Sequence, residues 1–128
     1  MGFAQLTDLQ ARWPALPLAN ESVAVQLLAD ASLWLRAWFP TAEAAAADSE
    51  DLTAALTMVT CSIVKRAMLN ADREGLTSYG ETIDAYAEQV VFRNPDGNLY
   101  VTSAERQLLE TLLGLNTAGA VSQTARGL

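Results

Sequence analysis

Asp48, Glu50 and Asp51 crowd into one short stretch, and they are the acidic group best placed to do chemistry. Two carboxylates a few ångströms apart can cleave a glycosidic bond by general acid-base catalysis, and three can hold magnesium or calcium. The same positions suit the start of a helix, where acids favour the positive end of the helix dipole, and that is the role expected of them. Glu81, Asp84 and Glu88 form a second group that reads as a charged face. The single cysteine, Cys61, cannot form an internal disulfide and sits in an apolar run, as a small buried side chain in a reducing compartment would. There is no histidine, hence no imidazole base, no Ser-His or Cys-His pair and no histidine metal ligand. A phosphate-binding glycine loop, a nucleophile elbow and a cysteine pair are also missing from the sequence. The expectation is a protein without catalytic, metal-binding or cofactor-binding residues.

What must position any functional surface is then a matter of size and pattern. The chain has 128 residues, 51% of them hydrophobic, a length that suggests one domain. A chain this long removes roughly two-thirds of its unfolded surface from water, so it needs no disulfide or metal to fold. Fifteen acidic against eight basic residues give a net charge of −7. That charge argues against ordinary nucleic-acid binding, and the scattered cations make no basic stripe or polybasic membrane anchor. The first residues lack the positive start and long apolar run of a secretory signal, and no run of ~18 apolar residues is free of charge. No membrane partner is expected.

The pattern is mainly α: a small helical bundle of two long helices and shorter N- and C-terminal helices, with an inserted β-hairpin and an extended C-terminal tail. Thr7 and Gln10 have capping-box spacing, which predicts a short helix over 8–12. Pro14 and Pro17 make the next segment an extended connector. Asn20 is an expected N-cap for a long helix that Pro40 ends. Residues 41–51 read as a loop with room for a helical turn. Leu52, Leu56, Val59, Ile63 and Ala67 recur at helical spacing and open a second long helix, which Gly75 stops. Beyond Gly75, β-branched and aromatic residues replace leucine and alanine, predicting a strand over 87–92. Asn94-Pro95-Asp96-Gly97 reads as a turn and 99–101 as the partner strand. Thr102 and Glu105 form a capping box for a last helix that Gly114 ends. One helical domain over 1–114, with a hairpin arm at about 79–101, thus precedes a tail, 115–128, expected to be flexible in an isolated subunit.

The two long helices carry more apolar surface than a short helix and a hairpin can cover. Leu27, Ala31, Trp34 and Trp38 form one stripe and Leu28, Leu35 and Phe39 another. Trp34 and Trp38 fit two roles, core of a bundle or contact with another subunit. A lone hairpin is marginal in water, so Tyr86, Val90, Phe92 and Tyr100 would anchor the arm, either on its own helices or on a neighbour. With Pro95 in the turn, these residues are the candidate oligomer interface.

Several runs occur in a recognisable order: 3–13 (FAQLTDLQARW), 27–32 (LLADAS), 58–67 (MVTCSIVKRA) and 92–102 (FRNPDGNLYVT), followed by Glu105 and Leu108-Leu109. In these the chain resembles the head-to-tail adaptor, or connector, proteins of long-tailed bacteriophages that infect Gram-positive bacteria, especially actinobacteria. The resemblance covers roughly residues 1–113, and its most specific part is the Asn-Pro-x-Gly turn with the Leu-Tyr strand and capped helix behind it. Around 79–82 relatives are often richer in glycine than Tyr79-Gly80-Glu81-Thr82. The resemblance implies a non-enzymatic virion protein that forms a homo-oligomeric ring of about a dozen copies beneath the portal protein. Such a ring extends the DNA channel, lets DNA pass without specific binding, and offers a platform to the next neck or tail-completion protein. It also implies that a tail carrying Leu115, Val121, Arg126 and Leu128 docks on the portal. The expected location is the virion neck, with the host cytoplasm before assembly. Two alternatives stand beside this expectation: a tail-completion or tail-terminator subunit, and an acidic cytosolic binding module, antitoxin-like or anti-repressor, that masks a basic partner.

Overall fold

A computed structural model describes residues 2–71, 90–95 and 97–114. It is mainly helical: α1 (Leu6–Arg12), a 3-10 turn (Leu18–Asn20), α2 (Glu21–Trp38), α3 (Ala42–Ala46), α4 (Glu50–Ala71), strands β1 (Val90–Arg93) and β2 (Tyr100–Thr102), and α5 (Ser103–Leu113). The first part of the expected hairpin arm and the expected tail, 115–128, lie outside the described residues.

α4 is the centre of the fold, packed by α1, α2, α3, α5 and β2. The expected stripe of Leu52, Leu56, Val59, Ile63 and Ala67 is buried, and further along the helix Cys61, Val64 and Met68 are buried on other sides, leaving Met58 outside. Among the described residues α4 alone is apolar and long enough to cross a bilayer, with a mean hydropathy of 1.4 over its best window; 56% of that window is buried inside this protein. Each fully buried leucine contributes about 1.5–3 kcal/mol, and Leu9, Leu35, Leu52, Leu56, Leu99 and Leu109, drawn from four helices and the hairpin turn, all meet that condition. α2 gives the core Ala24, Leu28, Ala31 and Leu35, while Leu27, Trp34 and Trp38 are half-buried at its edge. Late α2 meets early α4 where Ser32 and Thr57 both bond Phe3, and early α2 meets late α4 through the α1 region, where Gln10 bonds Glu21 and Trp13 lies by Lys65, so the two long helices run antiparallel. Phe3 crosses between them, donating its N–H to Ser32 Oγ late in α2 (2.9 Å) and accepting from Thr57 Oγ1 early in α4 (2.8 Å).

Several boundaries differ from the sequence reading. α1 starts two residues earlier than expected and uses Gln5 in place of Thr7, because the Asp8 carboxylate reaches back to the free Gln5 N–H (2.8 Å) and is a stronger acceptor than the Gln10 amide. The connector after α1 is extended only in part: Pro17 has extended backbone, but Leu16 N–H bonds Trp13 C=O (3.0 Å), making a tight turn that buries Leu16. Asn20 makes no side-chain cap, since the 3-10 turn runs straight into α2. Within 41–51, alanines form the short α3, and α4 begins at Glu50, two residues before Leu52, with Ser49 Oγ accepting from Leu52 N–H (3.1 Å).

The described part of β1 and β2 pairs antiparallel, Val90 with Thr102, Phe92 with Val101 and Arg93 with Tyr100. A bulge between Val90 and Phe92 shifts the register there. In the turn, Gly97 N–H bonds Asn94 C=O (2.9 Å) and Gly97 has φ of 81°, a conformation that glycine takes without strain. Asn94 is itself buried; its Oδ1 accepts from Leu99 N–H (3.2 Å) and its Nδ2 donates to Asn98 (3.0 Å). The Thr102–Glu105 capping box is formed, and α5 ends at Gly114 with φ of 78°.

Candidate interaction surface

The Arg66 side chain ties α4 to the second strand and to the start of α5. Its guanidinium donates to both Glu105 oxygens (2.8 and 2.9 Å) and to Tyr100 C=O (2.7 Å), and it lies 4.7 Å from the centre of the Tyr100 ring. Glu105 also accepts from Thr102 N–H (3.1 Å). One ion pair, with side chains 26% and 16% exposed, therefore clasps the second strand and the start of α5 onto α4. A fork of parallel N–H···O bonds fixes orientation as well as distance. Nothing local in the sequence marks Arg66, whose partner is 39 residues away.

Two of the hairpin's expected aromatic anchors, Phe92 and Tyr100, are used inside the chain. Trp34 stacks on Trp38 (5.7 Å between ring centres), Trp38 on Phe92 (5.7 Å), and Phe39 meets Phe92 edge-on (5.6 Å). Such ring pairs add about 0.5–1.5 kcal/mol each beyond their burial. Of the expected interface residues, Trp34, Trp38 and Phe92 are half-buried at this ladder, Val90 is half-buried in β1, Tyr100 is 6% exposed beneath Arg66, and Pro95 is exposed. Phe92 and Tyr100 thus dock on the chain's own α2 and α4. Tyr86, Leu115, Val121, Arg126 and Leu128 lie outside the described residues, as do Glu81, Asp84 and Glu88.

Asp48 and Glu50 line an open depression over the α3–α4 junction with Ala46, Ala47, Ser49, Thr53 and Ala54. Among the described residues no three His, Cys, Asp or Glu side chains are grouped to hold a metal. Beside the depression Arg36 pairs with Glu43 (3.0 Å) and covers the Phe3 ring at 4.7 Å. Burial pushes the Cys61 thiol up from its usual value, with nearby Arg12 opposing the shift and Asp8 adding to it. A buried, protonated thiol is a poor nucleophile.

The exposed apolar residues are elsewhere than the tryptophans. Leu18, Val23, Val25 and Leu33 are 83%, 53%, 51% and 62% exposed along the outer side of α2 and its approach, and Met58 and Leu69 are 45% and 43% exposed on α4. The signal for them was present: Leu33 and Val23 sit on the opposite side of α2 from Leu28 and Leu35, so burying both sides needs a second body. Comparison of the chain with protein families, curated proteins and solved structures gives no match.

Proposed function

We propose that this chain is a structural virion protein, a head-to-tail adaptor whose copies form a ring beneath the portal, extend the DNA channel and join capsid to tail. The observation that carries this is the pair of outward faces bearing exposed aliphatic residues, one on α2 and one on α4. A closed ring is built from a heterologous contact, for which each subunit must offer two unlike faces. The resemblance noted in residues 1–113 adds the portal and the next neck protein as partners. Its most specific stretch, from the Asn94 turn through the Leu99-Tyr100 strand to the Glu105 cap, is the part that Arg66 fastens to the central helix. A net charge of −7 per copy suits a channel wall, because an acidic lining lets DNA slide where a basic lining would hold phosphates.

The test is to mix purified chain with portal protein and to look for the chain in particles. Binding to portal, together with presence in the neck of virions, is the expected result. Absence from the neck with no portal binding overturns the proposal. Binding to tail tube alone would instead favour a tail-completion subunit, and a fixed small-stoichiometry complex with a basic protein would favour the acidic binding module.

A further inference from the structure

We propose that α2 of one copy docks on α4 of the next, with Asp30 facing Lys65 across a contact otherwise made by Val23, Leu33, Met58 and Leu69. This rests on the self-assembling reading above and assigns its two faces. On α2 the residues Val23, Gln26, Asp30, Leu33 and Ala37 recur at alternating spacings of three and four, which makes one stripe along the side away from the core. Asp30 is the one charge in that stripe and is held by Gln26 Nε2 at 3.0 Å. On α4 the outward stripe is Met58, Ser62, Lys65 and Leu69, and Lys65 is its one charge, 5.8 Å from the Trp13 ring centre. One face therefore carries a single acid between aliphatic residues, and the other a single base between aliphatic residues.

The spacings also match. At about 1.5 Å per residue, an antiparallel alignment that sets Asp30 beside Lys65 brings Leu69 level with Gln26 and next to Val23. It brings Met58 level with Ala37 and next to Leu33. Antiparallel is the sense the contact must have if successive copies differ by a modest rotation, because α2 and α4 are antiparallel within each copy. Copies that each carry −7 repel one another in general, so a contact between them needs opposite charges in register. The two faces are unlike, so the contact is head-to-tail and every copy keeps one free face until a ring closes.

Sedimentation velocity over a concentration series, without portal, tests the pairing, with circular dichroism and thermal melts to show that each variant keeps the parent fold. Asp30→Lys and Lys65→Asp should each weaken self-association by about tenfold or more, and the double variant should recover most of that loss. Leu33→Glu, at a position 62% exposed, should weaken association without lowering the melting temperature. A double variant as weak as the singles, or folded single variants that assemble like the parent, overturns the pairing. So does an unchanged Leu33→Glu, which serves as the test if loss of the Trp13 contact unfolds the Lys65 variant. These results leave the adaptor proposal standing, since portal binding is measured separately. A parent chain that stays monomeric yet binds portal overturns the pairing and leaves the neck assignment intact.

Discussion

Removing the Glu105 carboxylate should loosen the hairpin and α5 from the rest of the fold, and the structure sets the size of the effect. Glu105→Ala deletes two charge-assisted hydrogen bonds to Arg66 and the cap bond from Thr102 N–H. A cap bond is worth about 0.5–1 kcal/mol, and a part-exposed bidentate pair adds about 1–2 more once solvent screening is allowed for. Arg66 keeps Tyr100 C=O, so its charge is not stranded and the loss stays at about 2 kcal/mol. A domain of this size has an unfolding entropy of roughly 0.25 kcal/mol per kelvin, so the melting temperature should fall by about 8 °C. Glu105→Gln keeps an acceptor for Thr102 and loses the charge, so about half that fall is expected. Thermal unfolding followed by circular dichroism measures both, and Arg66→Met closes a double-mutant cycle whose coupling should be about 1–2 kcal/mol. A fall of less than about 2 °C for Glu105→Ala, or a coupling near zero, would show that the clasp does not hold the hairpin to α4.

Asn94→Ala should destabilise the protein by about 1–3 kcal/mol by leaving the buried Leu99 N–H without its side-chain acceptor, read as faster amide exchange at Leu99. Phe92→Ala should cost about 2 kcal/mol and change the near-ultraviolet circular dichroism of Trp38, whereas Pro95→Ser, at an exposed position, should leave the melting temperature within about 1 °C; equal effects would misplace the aromatic ladder. Gly114→Ala should cost about 1 kcal/mol although open space surrounds the position, because φ of 78° strains any residue with a Cβ. The Cys61 thiol is held above its ordinary value of 9.0, so the folded state keeps a proton that the unfolded state releases. The stability due to that difference is full below the unfolded value and is lost as pH rises through the folded value, and Cys61→Ser should flatten the decline.

The elements whose signals are local were legible in the sequence. Thr102 and Glu105 lie three residues apart, Gly114 ends the helix they start, and the Asn94–Gly97 turn has its mechanism in four adjacent residues. Where two local signals compete, sequence reading chose wrongly: Thr7 and Gln10 match the capping pattern, but Asp8 is a charged acceptor and moves the cap to Gln5. The clasp was not legible, since Arg66 stands beside Lys65 on a helix with no acid after its first turn and only the tertiary fold brings Glu105 to it. The tryptophans were recognised as unusual, yet pattern alone cannot separate a ring stacked within the chain from one awaiting a neighbour. The outward faces of α2 and α4 became distinct only when the core side of each helix was fixed.

Phe3 holds Ser32 and Thr57 at once, across separations of 29 and 54 residues. Such a stitch cannot form while the chain is being made until α2 and the first turns of α4 have both left the ribosome. Phe3, made before both of its partners, is thus among the last residues to settle. A probe attached next to Phe3 would report the docking of α2 on α4, and translational pausing before Thr57 would hold the nascent chain with the Phe3 segment still undocked.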